Sequence, residues 1–580
     1  MTRSPGGHAA RILPGVALAA ALAAWGRFAD VGEALLGVAL AIVVPLGVEL
    51  ANEGGPSALV AMVPFGAAAG LLSFGVPPGP LSGVLALGWL ATTLGVAALA
   101  LGRVLRRGLG PIEELAIDAG HAYLPVGAVW LTAHRWGAPL GGFVEPIVLY
   151  TADHFHFAGF AAPVVAGLLG REIGLRRRPG TRDPIVRGAR ASATRASILL
   201  VMAGVPLVAL GIVVSHRLEL PAALTLGAGM TVLATLLVDR GVARARRGDL
   251  TGLALVGAGL SLFVSMALAV AFTFTGTATR GGASSAVPYA TMARLHGSAN
   301  AIGFATLALV AFTARPPTRR SGPFGGTWPR LFSRGAVGVD FYRRVGAIEP
   351  DRAVRGQVAH LHELAHDGFH PERVDPRIRD FYEQTAAWTL RVDPRWHAPF
   401  RWLAPLYRRI AERLLGNLVL PVSPEGDDVT TELFAVRSDV DGRPSPRGYV
   451  RAYGAGSSRT PNYVAAYATH RGAARTLLSC AFPLPRSSLS AVLRFDDAAN
   501  GGLTLSSRPR PDEGPADEGM FLVTKWGPLR LPVDERLTVT PEGEEIVALH
   551  ETHVLWLPCF TLRYRLTRAT PRPAEGQDSG

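Results

Sequence analysis

The chain has 580 residues, a formal net charge of +13 and 49% hydrophobic residues, which leaves room for more than one domain. Nearly all the positive charge is arginine, with Lys525 the single lysine, and much of it falls in short segments between apolar runs. That placement fits membrane topology better than a nucleic-acid-binding face. Cys480 and Cys559 are the only cysteines, which excludes a disulfide framework and a cysteine-rich zinc site.

Composition divides the chain just after Phe312, where long charge-free runs of Ala, Leu, Val and Gly give way to evenly spread charge. The expected organisation is a polytopic transmembrane domain over 1–314 and a Pro-, Gly- and Arg-rich linker over 315–330. A cytoplasmic α+β domain over 331–568 and a disordered polar tail over 569–580 follow.

At about 20 apolar residues per crossing, the first region reads as ten transmembrane helices. They fall near 11–27, 34–51, 57–75, 80–101, 114–133, 142–169, 196–215, 220–238, 251–275 and 289–313. The short first run, Ile12 to Trp25, is expected to be a helix rather than a cleaved signal, because further spans follow it. With the N-terminus inside, the inner segments carry twenty arginines, and the outer ones carry Arg27, Arg135, Arg217, Arg280 and Arg294. The positive-inside rule then predicts a multi-pass cell-membrane protein with both termini cytoplasmic.

The sixth span, Phe143 to Gly170, includes Glu145, Asp153, His154 and His156. An ionisable side chain at bilayer depth costs at least about 2.5 kcal/mol, so such groups converge on partners or line a cavity. At 1.5 Å per residue, Asp153 and His154 lie about 15 Å below the outer surface, and His296 and Asn300 of the tenth span about 10 and 16 Å. Asp153 and His156 are three apart and predicted to share a helix face, as are His296 and Asn300, while His154 points elsewhere. Gly159, Gly297, Ala299 and Gly303 permit close helix contact. The predicted site between spans six and ten is therefore Asp153, His154, His156, His296 and Asn300, with Glu145 nearer the outer mouth. Asp118 and His121 read as an interfacial pair near the inner end of span five.

Three readings of this cluster stay open. The side chains bond across helices and fix packing. Alternatively, Asp153 and a histidine exchange protons in transport. Or facing imidazoles hold haem or a metal, as in a membrane redox protein; no other feature calls for a cofactor.

The segments His154-Phe-His156-Phe-Ala-Gly159-Phe160 and Leu295-His296-Gly297-Ser-Ala-Asn300-Ala-Ile-Gly303-Phe304 resemble the YndJ-like family of bacterial integral membrane proteins, over most of the membrane half. The resemblance implies a multi-pass protein of the bacterial inner membrane. The family has no established reaction, although it is sometimes described as a transporter. The expectation is a transporter or proton-coupled protein for an unidentified small molecule or ion, fused to a cytoplasmic binding or regulatory domain.

In the second half, helical patterns lie near 351–366, 376–388 and 396–415. The last is amphipathic and basic; Phe400, Trp402, Leu403 and Leu406 suit either covering a sheet or lying on the inner leaflet. From Thr431 to Leu566, short β-type runs separated by turn residues predict a curved antiparallel sheet. Such a sheet flanked by helices can enclose a pocket for a lipid or another apolar ligand. His362-Glu363-Leu-Ala-His366 has the spacing that places two zinc-binding imidazoles and a water-polarising carboxylate on one helix. Asp367, the helix-ending Gly368 and the lack of an evident third ligand argue against a metallopeptidase. Phosphate-binding loops, nucleophile elbows and dinucleotide fingerprints are missing too, which argues against ATP-driven transport by this chain alone and puts binding or regulation ahead of catalysis.

Overall fold

A computed structural model describes residues 5–52, 57–174, 184–214, 216–275, 289–317, 327–421, 429–453, 460–472, 475–510 and 517–569. Two compact units make up the chain, Met1–Arg320 and Ser321–Gly580. Most of the expected linker and nearly all of the expected disordered tail lie outside the described residues.

The described residues of the first unit form helices and the turns between them. Its helices are α1 (Pro5–Ala24), α2 (Val31–Ala51), α3 (Ala58–Ser73), α4 (Pro80–Arg107) and α5 (Ile112–Trp136). Helix α6 joins Ile147–His154, a π-helical Phe155–Ala161 and Ala162–Ile173. Then come α7 (Pro184–Val214), α8 (His216–Ala245) and α9 (Thr251–Thr275). Helix α10 runs from Tyr289–Met292 through π-helical Ala293–Gly297 and Ala299–Thr306 to Leu307–Ala314. Among the described residues, six helices are long and apolar enough to cross a membrane: α2, α4, α7, α8, α9 and α10. Helices α1 and α3 offer shorter apolar stretches, and α5 and α6 carry charged residues, including buried Glu114, Asp118, Arg135 and Arg171.

Helix α2 is central, with Leu36, Leu40, Val43 and Val44 fully enclosed. Its N-terminus is capped by Asp30, whose carboxylate accepts the Glu33 amide at 3.0 Å. The outer surface is apolar, with Phe65, Leu101, Leu253, Val264 and Ile302 all more than half exposed, as lipid contact requires. Charge gathers at two opposite ends. At one, Arg103 and Arg107 hold Asp118, Arg171 holds Glu114 in a bidentate pair, and Arg240 and Arg244 hold Glu172. At the other, Glu33 meets His134 and Arg135. Asp118 and His134 are both on α5, about 24 Å apart at the helical rise of 1.5 Å per residue, close to the depth of a hydrocarbon layer. The expected Asp118–His121 pair does not form: Asp118 faces the two arginines, and His121 Nδ1 bonds the Ile117 carbonyl one turn back.

The described residues of the second unit build a 12-stranded sheet in which every strand pairing is antiparallel. Its strands are β1 (Trp388–Trp396), β2 (Val429–Ala435), β3 (Arg447–Tyr453), β4 (Thr460–Arg471), β5 (Thr476–Leu484) and β6 (Ser487–Asp497). The others are β7 (Leu503–Ser506), β8 (Gly519–Thr524), β9 (Gly527–Arg530), β10 (Val533–Glu542), β11 (Glu545–Val554) and β12 (Leu557–Arg568). The order is β1-β12-β11-β10-β7-β6-β5-β4-β3-β2, with β8 bridging β6 and β9. A two-residue turn begun by Gly543, at φ +58°, closes the β10–β11 hairpin where Glu542 faces Glu545. The sheet curls until its two ends meet: the guanidinium of Arg451 on β3 reaches the Leu390 carbonyl of β1 at 3.4 Å and lies over the Tyr564 ring of β12.

Helix α11 (Pro376–Glu383) sits where expected but stops short of 388. The following residues form β1, an unforeseen edge strand in which Trp388, Leu390 and Val392 alternate and Pro394 is tolerated. The expected helix over 351–366 does not form; Leu361–Leu364 makes a single 3-10 turn. The backbone there lies directly on the end of α11, so that a Cβ on Gly356 would stand 2.3 Å from the Glu383 carbonyl. The third pattern becomes the short 3-10 turn Phe400–Trp402, helix α12 (Ala404–Ile410) and a π-helical Ala411–Leu415. Strands β7, β9 and β10 were not foreseen either.

Candidate functional site

Helices α2, α6 and α10 each widen into π-helical turns, and these turns touch one another in the middle of the membrane unit. Such i→i+5 turns cluster at functional sites because they displace side chains from the regular helix face. Beside them is a largely apolar cavity of about 360 Å³ between α6, α7, α8, α9 and α10, touched by Leu35 of α2. Its polar wall is formed by Asp153, His154, His296 and Asn300 with Tyr150 and Thr151.

The Asp153 carboxylate lies against α2, where Gly32 makes room; a Cβ there would stand 3.1 Å from Oδ2. Its Oδ1 is shielded from solvent and has no hydrogen-bond partner among the described residues, and the same holds for His154 Nε2. His296 is tied down. Its Nδ1 donates to the Ser265 carbonyl at 2.9 Å, and its Nε2 accepts from Asn300 Nδ2 at 3.0 Å. Ser265, on α9, was not singled out in the sequence, where one serine in an apolar helix carries no signal.

His156 and Glu145 do not line the cavity. Trp89 Nε1 on α4 donates to His156 Nε2 at 3.0 Å, and His156 Nδ1 donates to the Ala152 carbonyl at 2.8 Å. The His156 ring rests on α5 at Gly127, where an added Cβ would stand 2.8 Å from Nδ1. The predicted faces are thus reversed: Asp153 shares the cavity with His154, and His156 turns away, because the π turn starting at Phe155 advances less per residue than an α-helix. Glu145 instead accepts from His134 Nδ1 at 2.7 Å. His134 Nε2 meets Glu33 at 2.9 Å, and Arg135 adds a bond to Glu33 at 2.9 Å and further bonds to Ser82 and the Ser73 and Val76 carbonyls. In the sequence, these residues look like separate interfacial charges near span ends.

The HExxH residues do not share a helix face. The 3-10 turn ends at Leu364, Ala365 is extended, and His366 forms a β-bridge with Phe369. His366 Nε2 donates to the Phe495 carbonyl at 2.8 Å, its Nδ1 accepts the Gly368 amide at 3.0 Å, and His362 and Glu363 are exposed. Among the described residues, no three His, Cys, Asp or Glu side chains gather as a metal-binding set.

Comparison with known proteins gives a family likeness. Residues 34–304 match the one described as YndJ-like protein. The membrane unit is similar to the YndJ-like family over those residues. The match covers α2 to α10 up to Phe304, and so includes both polar segments of the cavity. A curated relative, an uncharacterised membrane protein YndJ of Bacillus subtilis (strain 168), is 26% identical over 487 residues, covering 84% of each chain. An alignment that long runs past Arg320, so the likeness extends into the sheet domain. No solved structure matches the chain.

Proposed function

We propose that the membrane unit is a proton-coupled transporter. In this reading it crosses the inner membrane ten times, with both termini and the sheet domain on the cytoplasmic, arginine-rich side. The solute site is the cavity between α6 and α10. Its apolar walls suit a small, mostly apolar solute, and His296 and Asn300, already held in place, offer it polar contacts.

One observation carries the reading: Asp153 Oδ1 and His154 Nε2 are adjacent in sequence, line the same cavity and lack partners among the described residues. Leaving a buried polar atom unsatisfied costs about 1–3 kcal/mol. Pure packing would favour apolar side chains here. A carboxylate and an imidazole, each with a free atom, can instead take up and release a proton as solute enters and leaves.

The test uses the full chain in proteoliposomes containing a pH-sensitive dye, challenged with gradients of small amphiphilic solutes. A transported solute should move protons, and Asp153→Asn should abolish that movement while the protein still inserts. Wild-type proton flux in Asp153→Asn, His154→Ala and His296→Ala alike would end this reading. Reporter fusions after Arg107, Arg247 and Arg320 should all report the cytoplasm; an outside signal at any of them breaks the ten-span topology.

A further inference from the structure

The sheet domain encloses a second cavity, of about 610 Å³, within the ~300–1,000 Å³ range of small-molecule sites. The wall formed by β5 to β8 is apolar, with Leu478, Leu493, Leu505 and Met520. The polar groups of the cavity are on β10 and β11. There Glu535 and His550 line the cavity and pair with each other at 3.1 Å, and Thr552 Oγ1 is buried without a hydrogen-bond partner among the described residues. Tyr382 Oη, against Phe495 on the apolar side, also lacks one.

The polar side is next to an opening. Thr552 is paired across the strands with Phe560, Phe560 with Trp396, and the Trp396 ring packs on Tyr407 of α12. Leu403, Leu406 and Ile410 line the cavity and yet are 56%, 57% and 41% exposed, so the cavity reaches the surface along α12. The exposed apolar rim continues with Trp402 and with the β11–β12 turn, where Leu555 and Trp556 lie beyond the cavity-lining Val554. The bond from the His397 amide to the Cys559 carbonyl holds the start of the segment that leads to α12 against the first residues of β12, just after that turn. Arg401, Arg409 and Arg413 are exposed on the same segment, and Arg408 pairs with Glu412. An apolar, tryptophan-bearing rim mixed with arginines matches the interface of an anionic bilayer.

We propose that this cavity binds an acyl-chain amphiphile with an anionic headgroup: its tail against the β5–β8 wall, its polar link by Thr552 and His550, and its head at the α12 arginines. This stands apart from the transport reading, since it invokes no residue of the membrane unit.

The full chain is reconstituted in bilayer nanodiscs. In one arm the bilayer carries an anionic phospholipid with a photoactivatable group at the end of its acyl chain; in the other, a free fatty acid with the same group is added from solution. After irradiation, labelled peptides are mapped by mass spectrometry, with labelling of the membrane helices as the internal standard. Labels on Leu505, Met520 or their strand neighbours support the proposal, and the arm that yields them identifies the source. Ala548→Trp, which fills the cavity, should reduce those labels about tenfold, a ~1.4 kcal/mol loss of affinity. Leu406→Asp with Trp556→Glu, at exposed positions that leave the core intact, should reduce the bilayer-derived label. Absence of label on the cavity strands in both arms, or label that Ala548→Trp leaves unchanged in a folded protein, overturns it.

Discussion

Trp89 Nε1 donates to His156 Nε2 at 3.0 Å, with the two rings stacked at 16°. Because the other ring nitrogen donates to the Ala152 carbonyl, His156 is fixed in one neutral tautomer, with both nitrogens used inside the protein. It ties α4 to α6 and takes no part in the cavity that Asp153 and His154 share. His156→Ala should therefore act through stability. The orphaned indole donor costs about 1–3 kcal/mol, with lost packing in addition. Thermal unfolding of the solubilised protein should shift down, and any transport should fall only in proportion to the folded fraction.

The Arg171–Glu114 pair predicts a different pattern. Both side chains are almost fully buried, at 2.6 and 2.8 Å, and the guanidinium also bonds the Leu50 and Ala51 carbonyls at the end of α2. Removing one partner leaves a buried charge, so Glu114→Gln or Arg171→Met alone should cost about 3–5 kcal/mol. The double variant should recover part of that loss. A thermal-stability double-mutant cycle measures the coupling, and additive single effects would contradict the pairing.

The sheet domain should be sensitive to alkali. Burial pushes Cys480 up to about 12 and Cys559 up to about 11, and burial raises Tyr407 and Tyr564 to about 12. All four groups stay protonated in the folded state at a pH where the unfolded chain has begun to release those protons. Their contribution to stability is whole below about pH 8.5 and declines as pH rises through the folded values. Denaturant midpoints followed by sheet circular dichroism should fall above that pH. The thiols should react slowly with a disulfide reagent at neutral pH and rapidly once the protein is unfolded.

The HExxH segment predicts asymmetric substitution effects. Glu363 is exposed, so Glu363→Gln should leave both stability and any activity unchanged, within about 0.5 kcal/mol. His366 joins the Phe495 carbonyl to the Gly368 amide, and His366→Ala should lower the stability of the sheet domain by about 1–3 kcal/mol. Zinc that survives dialysis at one ion per chain and is lost on His362→Ala would contradict this.

The sequence by itself determined where apolar segments run, where the character changes after Phe312, that β-type runs from Thr431 onward make an antiparallel sheet, and which segments carry the family likeness. Those properties are local: apolar runs, arginine placement and two short polar motifs are legible without knowing what touches what. Partnership was decided only in three dimensions. A helical wheel drawn with α-helix spacing sets His156 beside Asp153, but the π turn at Phe155 rotates it to Trp89, and nothing in the residue types announces that turn. The same holds for Glu145, drawn to His134 rather than the cavity, and for β1, where Pro394 hides an edge strand whose identity depends on β12 beside it. His362 and His366 keep the spacing of a zinc pair, yet Gly356 pins the preceding chain onto α11 and the helix that spacing needs does not form. Spacing along a chain becomes proximity only when the backbone winds as assumed, and contacts between distant segments determine the winding.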